Sequence, residues 1–145
     1  MEEYMNIALE QALKAFKNDD VPIGAIIVKK GKIIAKAYNK KEKNGIATQH
    51  AEILAINKAC RKLKNWRLLD CTIYTTVEPC LMCYGAIIQA RIKTVVYGSK
   101  NDNFGYSTRV NNTNINNKET IEIIGGICEN KSKMLIQKFF KEKRK

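Results

Sequence analysis

Apolar residues recur with a helical period where the chain begins. In EEYMNIALEQALKAFK (2–17) they fall at Met5, Ala8, Leu9, Ala12, Leu13 and Phe16, one stripe of an amphipathic helix. The pattern then shortens. VPIGAIIVKK (21–30) and KIIAKAYN (32–39) flank Lys30-Gly31 and predict two strands joined by a tight turn. HAEILAINKACRKLK (50–64) returns to the helical period, with Thr48 available as a cap. CTIYTTV (71–77) predicts a third strand. PCLMCYGAIIQARI (79–92) predicts a helix with Pro79 in its first turn, and TVVYG (94–98) a fourth strand. Residues 99–118, rich in Asn, Ser and Gly, predict a long loop with room for one helical turn. IEIIGGI (121–127) reads as a fifth strand and KSKMLIQKFFKEKRK (131–145) as a basic terminal helix.

The order α-β-β-α-β-α-β-loop-β-α predicts an α/β fold: a five-stranded mixed sheet with helices on both faces, a three-layer α/β/α sandwich. With no internal repeat and no linker, residues 1–145 read as a single domain. No apolar run approaches the roughly 18 residues that would suggest a membrane span. The opening MEEYMNIALEQAL is acidic and amphipathic, unlike a signal peptide. The expectation is a soluble, cytoplasmic protein.

Cysteine usage agrees with a reducing compartment. The five cysteines are odd in number and irregular in spacing, and only Cys80 and Cys83 stand close together. Such a pair points to metal or redox chemistry rather than a disulfide framework. Cys60, Cys71 and Cys128 read as small buried hydrophobes. The net charge of +12 points toward a polyanion. Part of the picture is codon bias, since 21 Lys against 5 Arg, with 14 Asn and 19 Ile, suggests an AT-rich genome. That bias explains Lys in place of Arg, not the excess of bases over acids.

The chain has one histidine, His50, and with Cys80 and Cys83 it offers three zinc-type ligands. Three protein ligands leave one tetrahedral position open, which marks a catalytic rather than a structural zinc. Cys80 and Cys83 share a face near a helix start, where the dipole favours thiolate. His50 and Glu52, two apart, point nearly opposite ways on a helix. Both can address one metal only if it sits off the helix end, so the helices starting near His50 and Pro79 should aim their N-termini at the zinc. Zinc lowers the pKa of bound water to about 7, and a neighbouring carboxylate can shuttle the proton to a ring nitrogen and a leaving amine. Glu52 is that carboxylate. H-x-E, 26 residues, then P-C-x-x-C is the known signature of zinc nucleobase deaminases.

VPIGAIIV, AYN, HAEILAI, NWRLLD, TIYTTVEPCLMCYGAII, ARIKTVVYG and FFKEKRK together resemble the bacterial tRNA-specific adenosine deaminase family over most of the chain. The resemblance implies a cytidine-deaminase-like fold, one Zn2+ per subunit and a homodimer. It implies conversion of the wobble adenosine to inosine in the anticodon stem-loop of an arginine tRNA. It also implies that His50, Cys80 and Cys83 bind zinc, that Glu52 is the acid/base, and that Asn39 hydrogen-bonds the flipped base with Ala51 beside it. A blander role for Asn39 is a turn at a strand end.

Free guanine and cytosine deaminases share these motifs, so a free-nucleobase deaminase is the alternative. The C-terminal helix favours RNA: its last fifteen residues hold seven bases and one acid, as a phosphate track requires. Phe140, Lys141, Lys143 and Arg144 are the candidate contacts. Gly24 permits close backbone approach near the base pocket, or strand packing. Trp66 and Tyr74 read as packing groups, and Arg61, Lys62, Lys64 and Arg67 as a phosphate patch or a solvated helix end. The chain departs from the family's pattern in 99–118, where Asn101 and Asn103 stand in places usually held by Asp and Lys, with Asp102 one step off.

Overall fold

The computed structural model describes residues 1–107 and 121–143. Its helices are α1 (Glu2–Lys17), α2 (Lys41–Asn44), α3 (Ala51–Leu63), α4 (Leu81–Gln89) and α5 (Glu129–Lys143). Its strands are β1 (Gly24–Lys29), β2 (Lys32–Tyr38), β3 (Cys71–Val77), β4 (Thr94–Ser99) and β5 (Glu122–Ile124). They form one mixed sheet in the order β2-β1-β3-β4-β5. β1 runs antiparallel to both β2 and β3, whereas β3, β4 and β5 are mutually parallel. The β1–β2 turn places Lys30 and Gly31 at positive φ (49° and 78°), the conformation that matches strand twist in a two-residue hairpin.

Alternate strand residues serve two cores. Ala25, Ile27 and Ile73 pack beneath Ala55, Ala59 and Ile87 of α3 and α4. Ile26, Val28, Tyr74 and Val96 face the other way, against Met5, Ala8 and Leu9 of α1. Both faces of the central strands are covered, which is why β1 and β3 read as continuous apolar runs rather than alternating ones. The predicted three-layer sandwich is the fold found. No helix among the described residues is long and apolar enough to cross a membrane.

Several boundaries differ from the sequence expectation. The cap of α3 is His50, not Thr48, and α4 starts after Cys80, so Pro79 precedes the helix. The short α2 was not expected. β5 is three residues long because Gly125 lies under the Tyr97 ring and Gly126 turns the chain at φ 86°. Most of the 99–118 loop, and Arg144, lie outside the described residues.

Candidate metal centre and substrate groove

Two helix N-termini meet at one corner of the sandwich, and the residues capping them are His50 and Cys80. Both have extended backbone, φ −75° and ψ 154° at His50 and φ −72° and ψ 173° at Cys80, and neither side chain makes the oxygen-type capping hydrogen bond of an ordinary helix start. Caps are ordinarily Ser, Thr, Asp or Asn, whose oxygen accepts a first-turn N–H. Here that stabilisation is given up, leaving an imidazole and a thiol free. Because His50 stands outside its helix, the conflict between positions i and i+2 disappears.

His50 Nδ1 lies 3.6 Å from Cys80 Sγ and 3.6 Å from Cys83 Sγ. All three ligand atoms fall within 4.8 Å of one another, and no other described group of His, Cys, Asp or Glu forms such a cluster. A tetrahedral metal at zinc–sulfur and zinc–nitrogen bond lengths spaces N and S about 3.5 Å apart. The corner therefore fits zinc. Charge leads to the same conclusion. The Cys80 thiol is held down to about 4, chiefly by the Cys83 hydrogen bond and then by His50. The same bond, together with burial, pushes Cys83 up. The bond to Cys80 raises His50 as well. Two sulfurs sharing one proton form a donor set that a dication completes by replacing it.

Glu52 sits in the first turn of α3, only 3% exposed. Burial pushes its carboxyl up to about 7, against the pull of its own backbone N–H. A group of that kind both holds and yields a proton near neutral pH.

A cavity of about 500 Å³ opens beside this corner. His50, Ala51 and Asn39 line one part of it, Ser99 to Phe104 a second, and Lys133, Gln137 and Phe140 of α5 a third. Two buried carboxylates pin segments that border it: α2, which lends it Lys41, and 101–107. Asp20, fully buried, accepts the N–H groups of Glu42 (2.7 Å) and Lys43 (3.0 Å). Asn39 Oδ1 accepts that of Lys41 (3.1 Å). Those are the first three N–H groups of α2, whose own cap, Lys40, has no side-chain acceptor. Glu78 holds the opposite segment, accepting the N–H groups of Asn101 (3.1 Å) and Ser107 (3.2 Å). α5 is seated by Ser132, whose hydroxyl lies 3.0 Å from Ser99 Oγ and donates to the Thr76 carbonyl.

The structure thus brings together His50, Glu52, Cys80, Cys83, Asn39, Ala51 and Phe140. Asn39 is 6% exposed, and its amide spans Val21 and Lys41, so the turn role is met while one N–H and one lone pair remain. Gly24 is placed differently. A Cβ there would come 2.1 Å from Ala8 O and 2.6 Å from Ala12 N, so the missing side chain serves the packing of α1, and Gly24 does not line the cavity. Lys143 pairs with Asp19, and Lys141 is exposed and does not line the cavity. Trp66 is not a core residue: it is 49% exposed, with Arg67 4.3 Å and Arg91 5.4 Å from its ring centre. Tyr74 does pack, 5.2 Å from Tyr4. Of the three remaining cysteines only Cys71 is buried; Cys60 and Cys128 are half-buried. Sequence reasoning missed Asp20, Glu78, Lys133 and Gln137. TTVEPC, with an acid in an apolar strand end, was the one available signal.

A His/Cys/Cys corner with a buried carboxylate, set at paired helix N-termini of a three-layer sandwich, defines the zinc-type deaminase class. A family model described as MafB19-like deaminase matches residues 1–144. A tRNA-specific adenosine deaminase of Streptococcus pyogenes is 39% identical over 147 residues, covering 97% of this chain and 90% of that protein. A solved tRNA:A34 deaminase superposes with TM-score 0.87 at 33% identity, covering 93% of this chain and 99% of that one. A guanine deaminase of Bacillus subtilis superposes with TM-score 0.69 at 36% identity, covering 83% and 82%. The chain belongs to the tRNA-specific adenosine deaminase family.

Proposed function

We infer that this chain hydrolyses the wobble adenosine of a tRNA to inosine, releasing ammonia, as a single zinc-dependent domain over residues 1–145. The observation that carries the reading is the His50–Cys80–Cys83 corner, with buried Glu52 beside it and a cationic groove leading in. His50, Cys80 and Cys83 would hold the zinc. Bound there, zinc supplies Lewis acidity, lowering the pKa of water to about 7. Glu52 accepts a proton from the attacking water. Its carboxyl then donates to ring N1 of adenine and, in the second half of the reaction, a proton reaches the departing amine. Asn39 offers its remaining N–H and lone pair to the flipped base, and Ala51 supplies a small, fully buried floor next to the ligand.

Substrate size follows from the groove. Lys133, Phe140 and Lys100 lie at its rim, matching an anticodon stem-loop, which presents phosphates and unstacked bases together. A homodimer is part of the reading. α4 leaves Leu81 and Met82 41% and 37% exposed beside Gly85, where a Cβ would meet nothing within 4 Å. That face suits a second copy. The place of action is the cytoplasm, where tRNA is modified.

The test offers the zinc-loaded protein an arginine anticodon stem-loop, with free adenosine, guanine and cytosine in parallel. Inosine in the stem-loop alone supports the reading. Turnover of a free base alone keeps the zinc chemistry and replaces the substrate with a nucleobase.

A further inference from the structure

Glu78 is 2% exposed and stands two residues before Cys80, and its carboxylate engages the segment 101–107. Its two carboxylate oxygens accept N–H groups at the two ends of that segment. Between them Gly105 lies flat on the carboxylate, where a Cβ would come 2.4 Å from Glu78 Oε1 and 2.5 Å from Asn101 O. The same stretch docks along 78–84 in three further ways. Gly105 forms an isolated antiparallel bridge with Cys80, the Tyr106 N–H donates to Pro79 O (2.8 Å), and the Tyr106 ring stacks on Tyr84 with centres 4.4 Å apart. Asn101 Oδ1 accepts the Phe104 N–H (3.1 Å), closing a tight turn. The side chains carried by that turn, Asn101, Asp102, Asn103 and Phe104, are the groove's second wall.

We propose that Glu78 is a positioning residue for substrate: it fixes the 101–104 wall of the groove and acts on the reaction through that wall, not through the metal ligands. A carboxylate suits the task because it is acceptor-only, with lone pairs for two N–H donors. A glutamine of the same shape keeps one acceptor and turns an NH2 against the second N–H. The substrate part of the proposal rests on the RNA deaminase reading; the wall part does not.

Glu78→Gln tests both. Hydrogen–deuterium exchange of the zinc-loaded protein should speed up about tenfold at whichever of the Asn101 and Ser107 amides meets the new NH2, as expected for losing a hydrogen bond to a charged acceptor, and less at the other. Exchange in β1 and β3 should be unchanged. KM for the stem-loop should rise about tenfold, with kcat within about threefold and zinc still one per chain. Gly105→Ala, which pushes the wall off an intact Glu78, should reproduce the pattern and guards against a Glu78→Gln protein that fails to fold. Unchanged exchange at Asn101 and Ser107 overturns the proposal. So does loss of zinc, or a fall in kcat at constant KM, since either assigns Glu78 to the metal corner. A wild type that ignores the stem-loop would sink the substrate reading alone, leaving the exchange result to decide what Glu78 holds.

Discussion

At the candidate metal corner the proposed ligands and proton carrier come from two short stretches, 50–52 and 80–83, each at the N-terminus of a helix. The groove beside it is assembled differently. Its walls are backbone segments tied to buried carboxylates 22 to 29 residues away, Asp20 under α2 and Glu78 under 101–107. The first region needs particular ligand atoms at set distances, so its residue types are constrained by chemistry. The second needs only an acceptor beneath a turn, and many residue arrangements meet that need. On the proposed reading, chemistry is concentrated in one place and substrate positioning is spread across the chain, and substitutions should divide the same way.

The largest effect belongs to a ligand. Cys83→Ala removes a fully buried donor, and zinc measured by mass spectrometry or atomic absorption should fall well below one per chain, with no detectable turnover. A full metal complement would refute the ligand set. Glu52→Ala comes next and separates metal holding from proton transfer. Zinc should stay at one per chain while kcat drops about 10²–10⁴-fold, the range for losing a general acid–base group. Retained turnover would move the proton transfers to another group.

Asp20→Asn probes the wall opposite Glu78, and a smaller change is expected. It turns one of the three acceptor oxygens under α2 into a donor, but the side-chain oxygen that remains can still accept, Asn39 Oδ1 still takes the Lys41 N–H, and the Lys40 N–H still reaches Gln49 O at 3.1 Å. KM for the stem-loop should rise about threefold at most of its kcat, less than the loss of a hydrogen bond to a charged acceptor at full strength. If Asp20→Asn instead matched Glu52→Ala in kcat, the division between corner and walls would fail.

This division also governs what the sequence made legible. Period-3.6 and β-branched runs gave the sheet, its four long helices and their order, since both cores depend on those patterns, whereas the short α2 buries nothing and left no pattern. His50, Glu52, Cys80 and Cys83 were visible as candidates because few residue types can bind zinc or shuttle protons, and their spacing is local. The caps were misread because His50 and Cys80 replace the usual capping residues, so Thr48 and Pro79 looked like the better starts. Asp20 and Glu78 were invisible as supports: each acts on backbone N–H groups, which carry no residue code, across more than twenty positions. Gly24 was open between the base pocket and packing for a related reason, because a glycine records that something approaches closely without recording what; the neighbour at its Cβ position is α1.

The smallest effect concerns the basic helix, where geometry redistributes the charges expected to meet RNA. Lys133 stands at the groove and was not singled out by sequence, whereas Lys143 is engaged with Asp19 at the surface. Removing a cation that contacts a phosphate weakens binding evenly across RNA sequences and lowers the slope of log affinity against log salt by about 0.7–1. Lys133→Gln should produce that change in stem-loop binding titrations run at several salt concentrations. Lys143→Gln should change the slope less, because its charge is already partly matched by a carboxylate. Equal slopes for the two variants would mean that the Asp19 pair opens when RNA arrives, and would return Lys143 to the contact surface. A slope unchanged in both would leave the charge of α5 as solvation rather than recognition, and the groove's affinity would then rest on its two pinned walls.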